Sequence, residues 1–326
     1  MSEVYFKEVN AIKGPILSMM KKEGFQAVDM HYHSCASVDG LATFNQIIKR
    51  CQKDSIGVAF TDHNHIETSL KAIKRIKKDV FTIPGLEVTC HNGVHMLLHF
   101  SDPKEYQEFY QKEMKKRLKV NPWFIDLDHR QVVDVASKYN CLITAPHPYG
   151  PGFCGIKKFK TSSATIKKIN AIEVLNGCLI GNMNKDAIKW AKKINKGFTG
   201  GSDGHCIAEL GNSLTICRAE TREEFLEQIR KKKSVVIGKE ERILEDALNA
   251  VHKFIREEKK TPKKQIEKMW IDRGLLEWNY FKDKIKNSSL FCHFHAHHQH
   301  PKAKHLEQHK HTKHLVHHMK KLKKSK

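Results

Sequence analysis

The sequence predicts an α/β fold, a barrel of strands with helices outside it, and two observations carry that prediction. Short apolar runs with strand character alternate with segments of helical periodicity in the order β-α-β-α, the pattern of a parallel sheet or barrel. Six of the runs also lead into a histidine or carboxylate: AVDMHYHS (His31, His33), VAFTDHN (Asp62, His63), IPGLEVT (Glu87), VHMLLHF (His95, His99), LITAPHP (His147) and FTGGSDGH (Asp203, His205). Parallel α/β barrels place their chemistry at the C-terminal ends of their strands.

In chain order, strands are predicted at 27–32, 57–61, 82–88, 94–100, 141–146, 171–176 and 197–201, seven in all. Between the first two, LATFNQIIKRCQ (41–52) sets Leu41, Phe44, Ile47, Ile48 and Cys51 on one helical face. IETSLKAIKRIKK (66–78) repeats this with Ile66, Leu70, Ile73 and Ile76. Further helices are predicted at 103–119, 129–139, 182–195 and 221–232, and SVVIGKE (234–240) reads as a closing extended segment. After it come two charged amphipathic helices. The second, KQIEKMWIDRGLLEWNYFKDKI, carries Met269, Trp270, Leu275, Leu276, Trp278 and Phe281, suited to docking on the barrel. From 287 onward the chain is a low-complexity His/Lys-rich tail, expected to be disordered when alone. The expected division is a barrel at 1–240, a helical extension at 241–286 and the tail at 287–326.

A chain of 326 residues is long enough for one barrel plus an appendage. No apolar stretch approaches membrane-spanning length, which argues against insertion in a bilayer. The N-terminus lacks the basic start, long apolar core and cleavage site of a signal peptide. The nine cysteines are scattered, odd in number and without a CxxC pair, which favours reduced thiols and a cytoplasmic setting. The formal net charge of +22 implies an anionic partner: nucleic acid, an acidic lipid surface or a phosphorylated substrate. Roughly half of that excess lies beyond residue 255.

Histidine and carboxylate ligands suit zinc, manganese or iron. In His31-Tyr32-His33 the two imidazoles point the same way, because strand side chains alternate faces. His99 shares a strand face with His95 and competes with it as a ligand. Asp62 is expected to orient an imidazole or a loop. His65 and His91 read as loop or supporting residues, and His129 and His252 as satisfied core histidines. Cys35 and Cys206 read as small buried residues beside the ligands. GGSDG (200–204) reads as a tight turn presenting Asp203. Lys157, Lys158 and Lys160 are candidates to clamp a phosphate.

Taken in order, HYHSCASVDG, FTDHN, PGLEV, VHMLL, APHP and GSDGH resemble the PHP (polymerase and histidinol phosphatase) domain, from about residue 27 to 240. IEVLNG (172–177) and the stretch from Glu209 to Val236 are similar to the family's late strand and closing helix. The resemblance implies a distorted seven-stranded TIM-like (βα) barrel with a trinuclear site. His31, His33, Glu87 and Asp203 would hold one divalent ion (zinc, manganese or iron). Glu87 would bridge to a second, held also by His95 and His147, and Asp39, His63 and His205 would hold a third. Glu87, Asp203 and His205 would carry catalysis. The implied activity is a metal-dependent phosphoesterase acting on a phosphomonoester, a nucleotide or small phosphorylated metabolite, through a metal-bridged hydroxide. The competing readings are an exonuclease acting on nucleic-acid ends and a catalytically idle nucleic-acid- or metal-binding protein. The tail is expected to be a solvated extension, with tethering to nucleic acid or capture of metal as its alternatives.

Overall fold

Ten strands form one sheet in this computed structural model: β1 Glu3–Phe6, β2 Phe25–Tyr32, β3 Gly57–Phe60, β4 Thr82–Thr89, β5 His95–Phe100, β6 Cys141–Ala145, β7 Ala171–Asn176, β8 Gly197–Gly201, β9 Ser213–Arg218 and β10 Val235–Gly238. Their order is β1-β10-β9-β2-β3-β4-β5-β6-β7-β8, which curls into a nearly closed barrel. The structure describes residues 2–6, 13–76, 80–118, 123–179 and 181–239, with isolated helical positions between 264 and 278. The chain divides into two compact units, Met1–Glu277 and Trp278–Lys326, and only the first is described further. The expected tail and most of the expected helical extension lie outside the described residues.

The seven expected strands are all present, but the strand count is corrected to ten and the all-parallel expectation to a mixed sheet. β4–β5 and β5–β6 pair antiparallel. The cause is the short turn from Cys90 to Val94, closed by Cys90 N donating to Val94 O (2.9 Å) and Gly93 N to Cys90 O (2.8 Å). Such a connection leaves no room for the helix a parallel crossover needs. Gly93 sits there at φ 86°, a conformation glycine adopts without strain.

β9 was hidden because SLTICR carries polar residues on its inward face. The structure uses them as fasteners: Ser213 Oγ donates to Leu175 O (2.9 Å), and Thr215 Oγ1 donates to Gly200 O (3.0 Å) while accepting from Gly200 N (2.8 Å). They join β9 to β7 and β8, which are not its ladder partners, and so draw the barrel shut. At the mouth, Asp203 N donates to His31 O (2.7 Å) and His33 N to Gly204 O (2.9 Å), tying the ends of β2 and β8 together.

The helices outside are α1 Pro15–Lys22, α2 Phe44–Asp54, α3 Glu67–Arg75, α4 Pro103–Phe109, α5 His129–Ala136, α6 Ser163–Lys168, α7 Met183–Lys193 and α8 Arg222–Arg230. Capping boxes start α2 (Thr43, Gln46), α5 (Asp128, Gln131) and α8 (Thr221, Glu224), satisfying amide donors that the helix cannot. The predicted helix at 103–119 is α4 continued by one π turn and one 3-10 turn to Arg117. α5 buries Val132, Val133 and Ala136 in one cluster with Phe100 and Ile143, and α8 buries Phe225, Leu226 and Ile229 with Val28 and Met30. Each fully buried side chain of this size contributes ~1.5–3 kcal/mol. Among the described residues no helix is long and apolar enough to cross a membrane.

Candidate metal centre

The mouth of the barrel gathers all nine side chains named from the sequence. β2 ends in His31 and His33, both fully buried, with Nε2 atoms 3.2 Å apart. Glu87 Oε2 lies 3.2 Å from each of these nitrogens, and Asp203 Oδ1 3.3 and 3.2 Å from them. On its other side, Glu87 Oε1 lies 2.8 Å from His95 Nδ1 and 3.2 Å from His147 Nε2. Asp39 Oδ2 lies 2.8 Å from His205 Nε2 and 3.4 Å from His63 Nε2. Glu87 is therefore shared between two groups, and His33 packs its ring against both His63 and His205 of the third (centroids 4.6 and 4.5 Å).

One expectation about placement needs correcting. His95 stands at the start of β5, not at a C-terminal end. Because β5 runs antiparallel to β4, its beginning faces the mouth, and Thr89 pairs with His95 in the register. His99, the rival ligand, is buried deeper, with Nε2 against the Met30 carbonyl (2.8 Å). Asp62 accepts from Ser34 N (2.6 Å) and Ser34 Oγ (2.8 Å), which pins the turn after His33. Cys206 packs near His205, its carbonyl accepting from Tyr32 OH (2.9 Å) while burial pushes its thiol pKa up.

The backbone is bent to deliver these groups. His147 (φ 25°) and Asp203 (φ 53°) hold left-handed conformations that cost non-glycine residues about 1–3 kcal/mol. A Cβ on Gly201 would lie 2.3 Å from His31 Cβ and 2.9 Å from Glu173 Oε1, so only glycine lets β8 approach β2 this closely.

Two supporting residues escaped the sequence reading. Glu173 is buried on β7; its Oε1 accepts from His31 Nδ1 (3.0 Å), and its Oε2 from His147 N (2.8 Å) and Asn176 Nδ2 (2.9 Å). That contact keeps a proton on His31 Nδ1 and turns Nε2, the atom that would meet a cation, toward the cluster. Asn176 Nδ2 also donates to Asp203 Oδ2 (3.1 Å). A lone carboxylate within the apolar strand AIEVLN was the available signal.

These residues suit divalent cations. Neither Glu87 Oε2 nor His95 Nδ1 makes an aligned hydrogen bond, although imidazole or carboxylate atoms lie within 3.2 Å of each. The lone pairs thus aim at common points between the side chains instead of at one another. Groups of nitrogen and oxygen atoms within ligating reach of a shared point are His31, His33, Glu87 and Asp203; His33, Asp39, His63 and His205; and His63, Glu87 and His95. In the protein alone, protons take the place of cations. Burial would lower His31 and His33, but the Asp203 and Glu87 carboxylates outweigh it, holding His31 well above its usual range and His33 at about 10. Burial would raise Asp39, Glu87 and Asp203, and the facing histidines instead hold all three well below the usual carboxylate range. His95 differs: burial, helped by His63 and His147, lowers it to about 4 against Glu87.

Residues 181–234 match the sequence family described as PHP-associated. The chain is 27% identical over 190 residues to an uncharacterized protein of Methanocaldococcus jannaschii, covering 57% of this chain and 68% of that one. Its fold is similar to that of the lesion-specific endonuclease PfuEndoQ of Pyrococcus furiosus (TM-score 0.55, 21% identity, 65% of this chain). It spans 57% of the length of that endonuclease. It is also similar to a two-domain protein of Bacteroides vulgatus containing a predicted PHP-like metal-dependent phosphoesterase (TM-score 0.51, 18% identity, 66% of this chain and 65% of that one). A segment that matches a PHP-associated family thus lies in a barrel whose fold is similar to that of a structure containing a predicted PHP-like metal-dependent phosphoesterase.

Proposed function

We propose that the chain is a hydrolase of phosphate esters, acting on a phosphomonoester at the barrel mouth. The observation that supports this most is Glu87, whose two oxygens face two separate sets of imidazoles, the arrangement of a carboxylate shared between neighbouring cations. His31, His33, Glu87 and Asp203 would hold one ion, Glu87, His95 and His147 a second, and Asp39, His63 and His205 a third. Bound divalent cations supply neutralisation of the phosphoryl oxygens and a water acidified enough to attack near neutral pH.

The chain's own residues prepare that chemistry. Glu173 fixes the tautomer and orientation of His31, and Asn176 holds one oxygen of Asp203 so that the other faces the histidines. Thr89 Oγ1 lies 2.9 Å from His63 Nδ1, which directs His63 Nε2 toward Asp39. Ser37 Oγ donates to Asp39 Oδ1 (2.8 Å), steadying the loop that brings Asp39 over the mouth. The ammonium of Lys157, one of the lysines named as phosphate clamps, lies 5.0 Å over the Trp190 ring of α7.

The test is release of phosphate from an aryl phosphate by the purified chain with added manganese or zinc, with and without chelator. Chelator-sensitive turnover in the wild type and none in Glu87→Gln is the expected result. Turnover that survives chelation, or an active Glu87→Gln, would refute the proposal.

A further inference from the structure

A thiol stands beside the barrel mouth that the phosphate chemistry above does not use. Strand β7 ends at Asn176, whose Oδ1 accepts from the Cys178 amide (3.0 Å), and Gly177 N donates to Gly201 O (2.9 Å). These bonds hold the chain after β7 against the turn after β8. The half-buried Cys178 thiol donates to the Asp203 carbonyl (3.1 Å). Further along that turn Glu209 is buried, and its Oε2 accepts from the amides of His205 (2.5 Å) and Cys206 (2.9 Å). The two amides fix the direction of the carboxylate.

One ligating atom from each of Cys178, His205 and Glu209 lies within 4.8 Å of the other two. The His205 ring turns Nε2 to Asp39 (2.8 Å), so Nδ1 is the nitrogen it offers here. A tetrahedral ion with bonds of ~2.0–2.3 Å sets its ligands ~3.5 Å apart, which small side-chain rotations reach from this span. Sulfur, imidazole nitrogen and carboxylate oxygen together suit zinc, whereas harder cations such as manganese prefer oxygen. The three groups at the barrel mouth offer nitrogen and oxygen only. Cys178 is partly open to solvent, which gives an ion a way in and leaves water for a fourth position.

We propose that Cys178, His205 and Glu209 form a further site, for a thiophilic divalent cation of the zinc class. On binding, the bond from sulfur to the cation forms as the S–H bond breaks, and the proton passes to water. The Asp203 carbonyl gives up its thiol donor. A neutral imidazole has one lone pair, so a cation on His205 Nδ1 leaves a proton on Nε2 for Asp39 to accept. The site shares His205 with the barrel mouth, but Cys178 and Glu209 are not among the nine residues there. It stands whether or not the mouth hydrolyses phosphate esters.

Cobalt(II) bound to the full chain reports the site, because a sulfur ligand adds a charge-transfer absorption in the near ultraviolet that nitrogen and oxygen ligands lack. Every variant carries Cys292→Ser, so that the cysteine of the His/Lys-rich tail contributes nothing. The sulfur band should be present in that background, lost on adding Cys178→Ser and kept on adding Cys35→Ser. Alkylation by iodoacetamide, read by mass spectrometry, gives a second readout: zinc should block the reaction at Cys178 and manganese should not. The proposal is overturned by the absence of a sulfur band, by a band that follows Cys35 instead of Cys178, or by equal protection from zinc and manganese. Equal protection would mean that filling the mouth shields the thiol through Asp203. A Cys178-dependent band without hydrolysis of an aryl phosphate would instead refute the phosphoesterase reading and leave this site standing.

Discussion

Replacing Glu173 by glutamine tests how the site is held, because the change is isosteric and replaces none of the nine cluster residues. Glu173 accepts three hydrogen bonds, from His31 Nδ1, His147 N and Asn176 Nδ2, at 2.8–3.0 Å. Glutamine has one acceptor oxygen. Whichever way its amide turns, the NH2 meets either the His31 proton or the His147 amide. One outcome leaves a buried donor unsatisfied, which costs about 1–3 kcal/mol. The other moves the His31 proton to Nε2, where the lone pair needed by a cation is lost. Either way metal affinity should fall about 10–100-fold, the usual effect of losing a partner behind a ligating histidine. Competition against a fluorescent chelator measures this without any substrate, and a thermal melt in excess chelator separates the stability cost. Glu173→Gln with unchanged metal affinity would show that Glu173 does not set the His31 tautomer.

Three further outcomes are expected. Gly201→Ala should cost about 1–3 kcal/mol in denaturant melts and loosen metal binding, because its Cβ would meet His31 Cβ at 2.3 Å; a neutral substitution would contradict the close approach of β8 to β2. His95→Asn should lower the metal content per chain, whereas His99→Asn should cost stability through the lost Met30 contact and keep that content; mass-spectrometric metal analysis of the two variants decides between the histidines. In chelator, the stabilisation from protonated His33 should be complete below pH 6.5 and lost as pH rises toward about 10, since its folded pKa lies above the unfolded one. Metal competes with those protons, so affinity for added metal should rise over the same window, and melts at a series of pH values with and without metal would show whether the two trends oppose each other.

Local patterns made most of the barrel readable. Apolar runs flanked by turn residues marked the strands from β2 to β8, and one-sided periodicity marked α2, α3 and α7. Strand direction was not readable, because an antiparallel hairpin and a parallel crossover differ only in the length of the connection, and the Cys90–Val94 turn is easily taken for a loop. β9 escaped because its inward Ser213 and Thr215 bond across the barrel instead of packing in an apolar core. Eight of the nine cluster residues were readable since histidines and carboxylates at strand ends are unusual in a core, whereas Asp39, in the loop between β2 and α2, was named only through the resemblance to the PHP domain. Glu173 and Asn176 were not, because a supporting residue is defined by what it touches across the barrel, and β7 meets β2 only in three dimensions.

The most direct test of the whole account is the metal content of the wild-type chain set against that of Glu87→Gln, purified side by side so that histidines outside the barrel contribute equally. The account predicts that the single substitution removes at least two ions per chain, because Glu87 faces two groups of ligands at once. Equal metal content in the two proteins would contradict it.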